Sequence, residues 1–194
     1  MEFIKTSIPD IILIKPKLHE DKRGYFVETF RQDELEKNIG YKIHFCQDNE
    51  TKSNKDVLRG LHFQMPPFAQ SKLVRVIKGE VLDVSVDIRQ DSPTFGKHVL
   101  VNLSGENKHQ LYIPRGFAHG FVVISESAIF SYKVDNYYSK ECDAGLLFND
   151  PALGINWGMN TDKLQISEKD LKLPTLKMLN NKSSQFNYLK NLYD

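Results

Sequence analysis

Val81-Leu82-Asp83-Val84-Ser85-Val86-Asp87-Ile88 alternates apolar and polar residues, with Leu82, Val84, Val86 and Ile88 on one side and Asp83, Ser85 and Asp87 on the other. A period of two is the mark of a β-strand with one buried and one polar face. Upstream, Leu73-Val74-Arg75-Val76-Ile77 runs into Lys78-Gly79-Glu80, a hairpin-like break. Downstream, residues 99–103 stop at Ser104-Gly105-Glu106-Asn107, residues 111–113 at Pro114-Arg115-Gly116, and residues 121–124 at Ser125-Glu126-Ser127. An extended pattern then resumes over residues 128–134. Many short strands with turn signals between them predict an all-β fold, an antiparallel sandwich or barrel. Helix is minor: a short one over residues 32–37, a helix start at Ser167-Glu168-Lys169-Asp170, and a C-terminal helix carrying Phe186, Leu189 and Leu192. The chain thus divides into one domain, residues 1–175, and a helical extension, residues 176–194.

The 194 residues suffice for one sizeable core. Lys and Arg number 26 against 25 Asp and Glu, with no long basic run, which argues against a nucleic-acid or membrane-surface partner. The opening MEFIKTSIPDIILIKPK is too broken by charge and proline for a signal peptide. No apolar run approaches the roughly 18 residues of a membrane span, so the expected compartment is the cytoplasm. Cys46 and Cys142 form no CxxC pair and are expected as free thiols.

Polar groups recur within strand-like stretches: DKRGYFVETF, FCQDNETKS, RGLHFQ, QSKLV, PRGFAHGF and SYKVDNYY. Inward-pointing residues of one sheet share a face, and in a barrel that face lines a cavity. Arg23, Glu28, Gln47, Asn49, Arg59, His62, Lys72, His119 and Tyr132 are therefore candidates to converge on one polar pocket. The competing reading puts each Arg or Lys on a solvated face and makes His62, between Leu61 and Phe63, a structural histidine. Metal sites on jelly rolls need two or three histidines with a carboxylate on adjoining strands. Here Gln64, a poor ligand, stands two residues after His62, and Met65-Pro66-Pro67-Phe68 follow without a carboxylate. The residues argue against a metal.

Pro114, Gly116 and His119 fit P-x-G-x-x-H, the second motif of the cupin superfamily. The wider set resembles the dTDP-4-dehydrorhamnose 3,5-epimerase family: RGYFVETF, QDNETKS, the long run from VLRGLHFQMPPFAQSK to DSPTFG, LSGEN, IPRGFAHGFVV, YKVDNYY and NDPALGINW, across residues 20–170. The resemblance implies a cupin-type antiparallel jelly roll, a homodimer with N-terminal strands exchanged, no metal or organic cofactor, and a nucleotide-linked 4-keto-6-deoxy sugar as substrate.

That chemistry sets its own demands. A ketone at C4 acidifies the hydrogens on C3 and C5, and inversion removes a proton from one face and returns one to the other. A base and an acid must flank the ring, with donors on the enolate oxygen. A histidine, with an ordinary pKa of about 6.5, suits the base when a carboxylate fixes its tautomer. By resemblance His62 is that base, Asp170 its partner, Tyr132 the acid and Lys72 the cation for the enolate oxygen. Arg23, Arg59 and His119 fall at family positions for the diphosphate, and Glu28, Gln47 and Asn49 at positions for base and sugar. Phe26 either packs on a nucleobase or belongs to the core. Lys169 sits at a family binding position, though as an exposed lysine it can equally be idle. Two positions depart from the family pattern. Asp143 replaces a glutamate, shorter by one methylene, and Gly158 replaces a proline after Ile155-Asn156-Trp157, which is expected to loosen a turn near Asp170. Other classes compatible with parts of this pattern are an epimerase acting at C3 or C5 alone, a metal-dependent cupin oxygenase and a non-catalytic sugar-nucleotide binder.

Overall fold

A computed structural model describes residues 1–179 and 186–193. Strands are numbered in chain order. One antiparallel sheet runs β1 (Glu2–Lys5), β2 (Ile12–Lys15), β10 (Gln110–Ile113), β7 (Lys72–Lys78), β12 (Ser127–Val134) and β5 (Gln47–Asn54). A second runs β13 (Asp143–Gly145), β6 (Leu58–Gln64), β11 (Phe117–Val123), β8 (Glu80–Asp87) and β9 (His98–Ser104). The hairpin β3 (Leu18–Asp21) and β4 (Gly24–Val27) pairs with neither sheet. The two sheets face each other as the walls of a cupin-type jelly roll.

Three apolar layers hold it. Between the sheets pack Val74, Val76, Val81, Phe117, Phe121 and Phe130. The outer face of the six-stranded sheet, with Ile12, Leu73 and Tyr112, is covered by helix α1 (Gln32–Ile39) through its one buried residue, Leu35. The outer face of the five-stranded sheet, with Leu61, Phe63, Val84, Val86 and Ile88, lies under the C-terminal quarter of the chain: Leu146, Phe148, Trp157, Leu176 and Phe186.

That third layer corrects the expectation for β8. Its apolar side is buried outward, under the C-terminal cover, and its polar side points between the sheets. Asp83, Ser85 and Asp87 are each fully buried there. Alternation located the strand but could not tell solvent from a polar interior.

The tail also differs from the expected helix. The described part of residues 176–194 holds a four-residue helix, α2 (Leu176–Leu179), and then bends and turns over residues 186–193. Residues 180–185 and 194, which the anticipated helical extension also included, lie outside the described residues. Phe186 is driven into the core, a burial worth about 1.5–3 kcal/mol. Tyr193 lodges its hydroxyl among Tyr41 (2.8 Å), Ser71 (2.9 Å) and the Arg115 N–H (3.2 Å). Helical spacing of Phe186, Leu189 and Leu192 had no helix behind it: Phe186 is buried, while Leu189 is exposed. Gly158 adopts φ 72°, a conformation closed to proline, and its N–H bonds to Asn156 Oδ1.

Candidate active site

A cavity of about 680 Å³ opens between the sheets, lined by Arg59, His62, Lys72, His119, Tyr132 and Asp170 among others. The strand β6 reaches it in an unusual way. Phe121 on β11 pairs with Arg59, and His119 pairs with His62, so β6 carries one more residue than its partner over this interval. This is a β-bulge at Gly60 and Leu61. Strict alternation would send Arg59 and His62, three apart, to opposite faces. The bulge turns both into the cavity and sends Leu61 outward to the apolar cover. Gly60 makes it possible: its φ is 113°, and a Cβ there would lie 2.7 Å from the Cα of Gly120.

The bulge also frees a backbone donor. Gly60 N–H bonds Asp170 Oδ2 at 3.2 Å, while Asp170 Oδ1 meets His62 Nε2 at 2.8 Å. Asp170 opens a 3-10 turn, Asp170–Lys172, its own N–H held by Ser167 Oγ. Burial works to raise the Asp170 pKa, but its hydrogen bonds and the imidazole charge of His62 leave it below the usual carboxylate value. When the ring is neutral and the carboxylate accepts from Nε2–H, the lone pair of His62 lies on Nδ1.

Opposite stands the six-stranded wall. Tyr132, on β12, is raised in pKa by burial and by Asp143, against Arg59, and so keeps its proton. Lys72, on β7, is buried and donates to the His62 carbonyl at 3.3 Å. Burial pushes its pKa down to about 8, opposed by Asp83 and Asp143. A second histidine–carboxylate pair lies deeper: His119 Nε2 meets Asp83 Oδ2 at 2.8 Å, and burial lowers the His119 pKa. Asp83 Oδ1 has no hydrogen-bond partner. Among the described residues no group of three or more His, Cys, Asp or Glu side chains could hold a metal.

Of the residues expected from sequence, Arg59, His62, Lys72, His119, Tyr132, Lys169 and Asp170 share this cavity. Gln47 and Asn49, bonded to each other at 2.9 Å, continue the inward face of β5 beside Tyr132. Asp143 ion-pairs with Lys169 at the rim and accepts from the Tyr138 hydroxyl at 3.1 Å. Arg23, Phe26 and Glu28 do not converge with them in this chain. Arg23 pairs with Asp21 on the free hairpin, Phe26 is 68% exposed, and Glu28 lies 4.0 Å from Arg31. Sequence reasoning missed Asp83, Thr51, Gln165 and Ser167. The signal for Asp83 was present in the alternation of β8, read only as a polar face.

The family model for dTDP-4-dehydrorhamnose 3,5-epimerase matches residues 5–178. The dTDP-4-dehydrorhamnose 3,5-epimerase of Shigella flexneri is 54% identical over 171 residues, 88% of this chain and 93% of the relative. The structure of a dTDP-6-deoxy-D-glucose-3,5-epimerase from Legionella pneumophila Philadelphia 1, in complex with dTDP-4-keto-L-rhamnose, matches with a TM-score of 0.92 and 44% identity, covering 97% of this chain and 99% of that one. The dTDP-4-dehydrorhamnose 3,5-epimerase structure from Elizabethkingia anophelis NUHP1 gives 0.89 and 49%, covering 92% and 97%.

Proposed function

Because the chain belongs to the dTDP-4-dehydrorhamnose 3,5-epimerase family, we propose that its cavity carries out that epimerisation with His62 as base, Tyr132 as acid and Lys72 facing the enolate oxygen. The protein is an isomerase, and its reaction belongs to L-rhamnose biosynthesis. It converts dTDP-4-dehydro-6-deoxy-D-glucose to dTDP-4-dehydro-L-rhamnose. His62 Nδ1 takes the proton from the carbon beside the ketone. The C–H electron pair moves into the ring, and the C4 oxygen becomes an enolate oxygen. Lys72 donates to that oxygen. Tyr132 returns a proton to the opposite face, and Asp170 holds the imidazolium until it is discharged. The steps need no metal and no organic cofactor.

One observation carries this reading: the Asp170–His62 bond of 2.8 Å on one wall, with the phenol of Tyr132 on the other. A binding protein has no need of an acid and a base on opposite faces. Arg59 and His119 are assigned to the diphosphate, and Gln47, Asn49, Asp143 and Lys169 to the nucleotide at the mouth. A homodimer, acting in the cytoplasm, would bring Arg23, Phe26 and Glu28 on the partner's hairpin to complete the nucleotide site. The hairpin's independence from both sheets supports this. Proton NMR of the substrate with enzyme in D2O tests the reaction. Deuterium should enter at C3 and C5 with inversion at both, and exchange at a single carbon would make the protein a monoepimerase.

A further inference from the structure

Gln64 stands where a metal-binding jelly roll would place a ligand, two residues along β6 from His62, and the catalytic scheme makes no use of it. Its side chain is buried, at 4% exposure, and all its polar atoms are engaged with backbone. Nε2 donates to the Phe68 carbonyl at 2.7 Å and to the Tyr137 carbonyl at 3.1 Å. Oε1 accepts the Ser139 N–H at 2.7 Å. The last two bonds fall on either side of Tyr138. One primary amide thus grips residue 138 as an adjacent strand would, one acceptor and one donor at a time. An amide side chain is suited to this, since a carboxylate offers no donor and a lysine no acceptor.

Tyr138 is 58% exposed and Tyr137 63%, on a segment of irregular backbone. The Tyr138 hydroxyl reaches Asp143 Oδ2, and Asp143 lies directly across from Gln64 in the β13–β6 register. Asp143 in turn holds Lys169, which lines the cavity. Other contacts steady the segment: Tyr138 N–H to Gln47 Oε1 at 3.3 Å, Gln70 Nε2 to the Asn136 carbonyl at 2.7 Å, and Asn136 Nδ2 to the Pro67 carbonyl at 3.1 Å. Of the side chains named, Gln64 alone combines full burial with bonds on both sides of the tyrosine.

We propose that Gln64 is a positioning residue for nucleotide binding, fixing the Tyr137–Ser139 segment so that the Tyr138 ring stands as a rigid platform at the cavity mouth. The proposal rests on the nucleotide-sugar reading given above. A strand that carries the base at His62 and the anchor of the mouth at Gln64 sets the spacing between the reacting sugar and the distal end of the nucleotide. The role is one of affinity: the platform contacts ligand equally in ground and transition states.

Two variants test it from opposite ends. Gln64→Met keeps chain length and removes every hydrogen bond. Ser139→Pro leaves the core intact and removes the N–H from which Gln64 Oε1 accepts, together with the exposed Ser139 hydroxyl bond to Glu141. In both, the dissociation constant for dTDP and the KM for substrate should rise about tenfold, the scale of one or two lost hydrogen bonds. Neither kcat nor the rate of solvent exchange at saturation should follow. Amide hydrogen exchange over residues 137–139 should quicken in Gln64→Met. Unchanged dTDP affinity in both variants, or a fall in kcat with KM unmoved, overturns the role of Gln64 alone. Wild-type protein that binds no dTDP overturns both this proposal and the functional reading beneath it.

Discussion

Substituting His62 by alanine removes the imidazole bonded to Asp170, and exchange at both C3 and C5 should vanish from the NMR spectrum. Asp170→Asn leaves the imidazole in place but no longer favours the tautomer with Nδ1 free. Its rate should fall by about 100-fold or more, while dTDP binding persists. Tyr132→Phe separates the two half-reactions. Deuterium should still wash in from the His62 side, and inverted product should form about 100- to 10,000-fold more slowly. Wild-type inversion in that variant would assign the acid elsewhere. Lys72 sets the alkaline limb. Its pKa is depressed by burial to about 8, so its charge is present below that pH and lost above it. A pH–rate profile of kcat/KM should therefore decline through about pH 8. In Lys72→Arg, whose side chain keeps its charge, the residual rate should show no such decline. A flat wild-type profile between about pH 7 and 9.5 would remove the charge of Lys72 from the mechanism. Strand patterning already offered His62, Lys72 and Tyr132 as pocket residues, but their roles, and Asp170 altogether, were legible only through the family resemblance. His62 and Asp170 stand 108 positions apart, a distance no local periodicity spans.

At the level of the strand, the bulge in β6 is the device on which the site depends. In Gly60→Ala the new Cβ would press on Gly120 Cα and the His119 carbonyl, both 2.7 Å away, in a backbone conformation that side chains resist. A stability loss of about 1–3 kcal/mol is expected, read as a lower Tm. Because Gly60 N–H also holds Asp170, turnover by the folded fraction should fall by about 100-fold. Retention of full activity at a lower Tm would make the bulge a matter of stability alone. Element types were mostly readable in advance: β8 from its alternation, and α1 near residues 32–37. The bulge was not, because Arg-Gly-Leu-His reads as ordinary strand with a glycine in it. Nor was the sense of the polar face of β8, since a period of two is the same whether the polar side meets water or a lined cavity.

For the molecule as a whole, the hairpin β3–β4 stands outside both sheets, with Tyr25 54% and Phe26 68% exposed. Light scattering at micromolar concentration should give twice the mass of the chain, and Phe26→Asp should weaken both pairing and dTDP binding. A wild-type monomer would leave Arg23, Phe26 and Glu28 without a site. The resemblance placed these residues on the ligand, and patterning along one chain carries no information about a second copy. A further consequence lies in the C-terminal cover that supplies Asp170 and seals the five-stranded sheet. A ribosome emits the chain from its N-terminus, so every strand bearing His62, Lys72, His119 and Tyr132 emerges before the segment bearing Asp170. On the proposed mechanism the nascent barrel can therefore assemble its walls while its base lacks an orienter, and full turnover waits for the segment bearing Asp170 to dock.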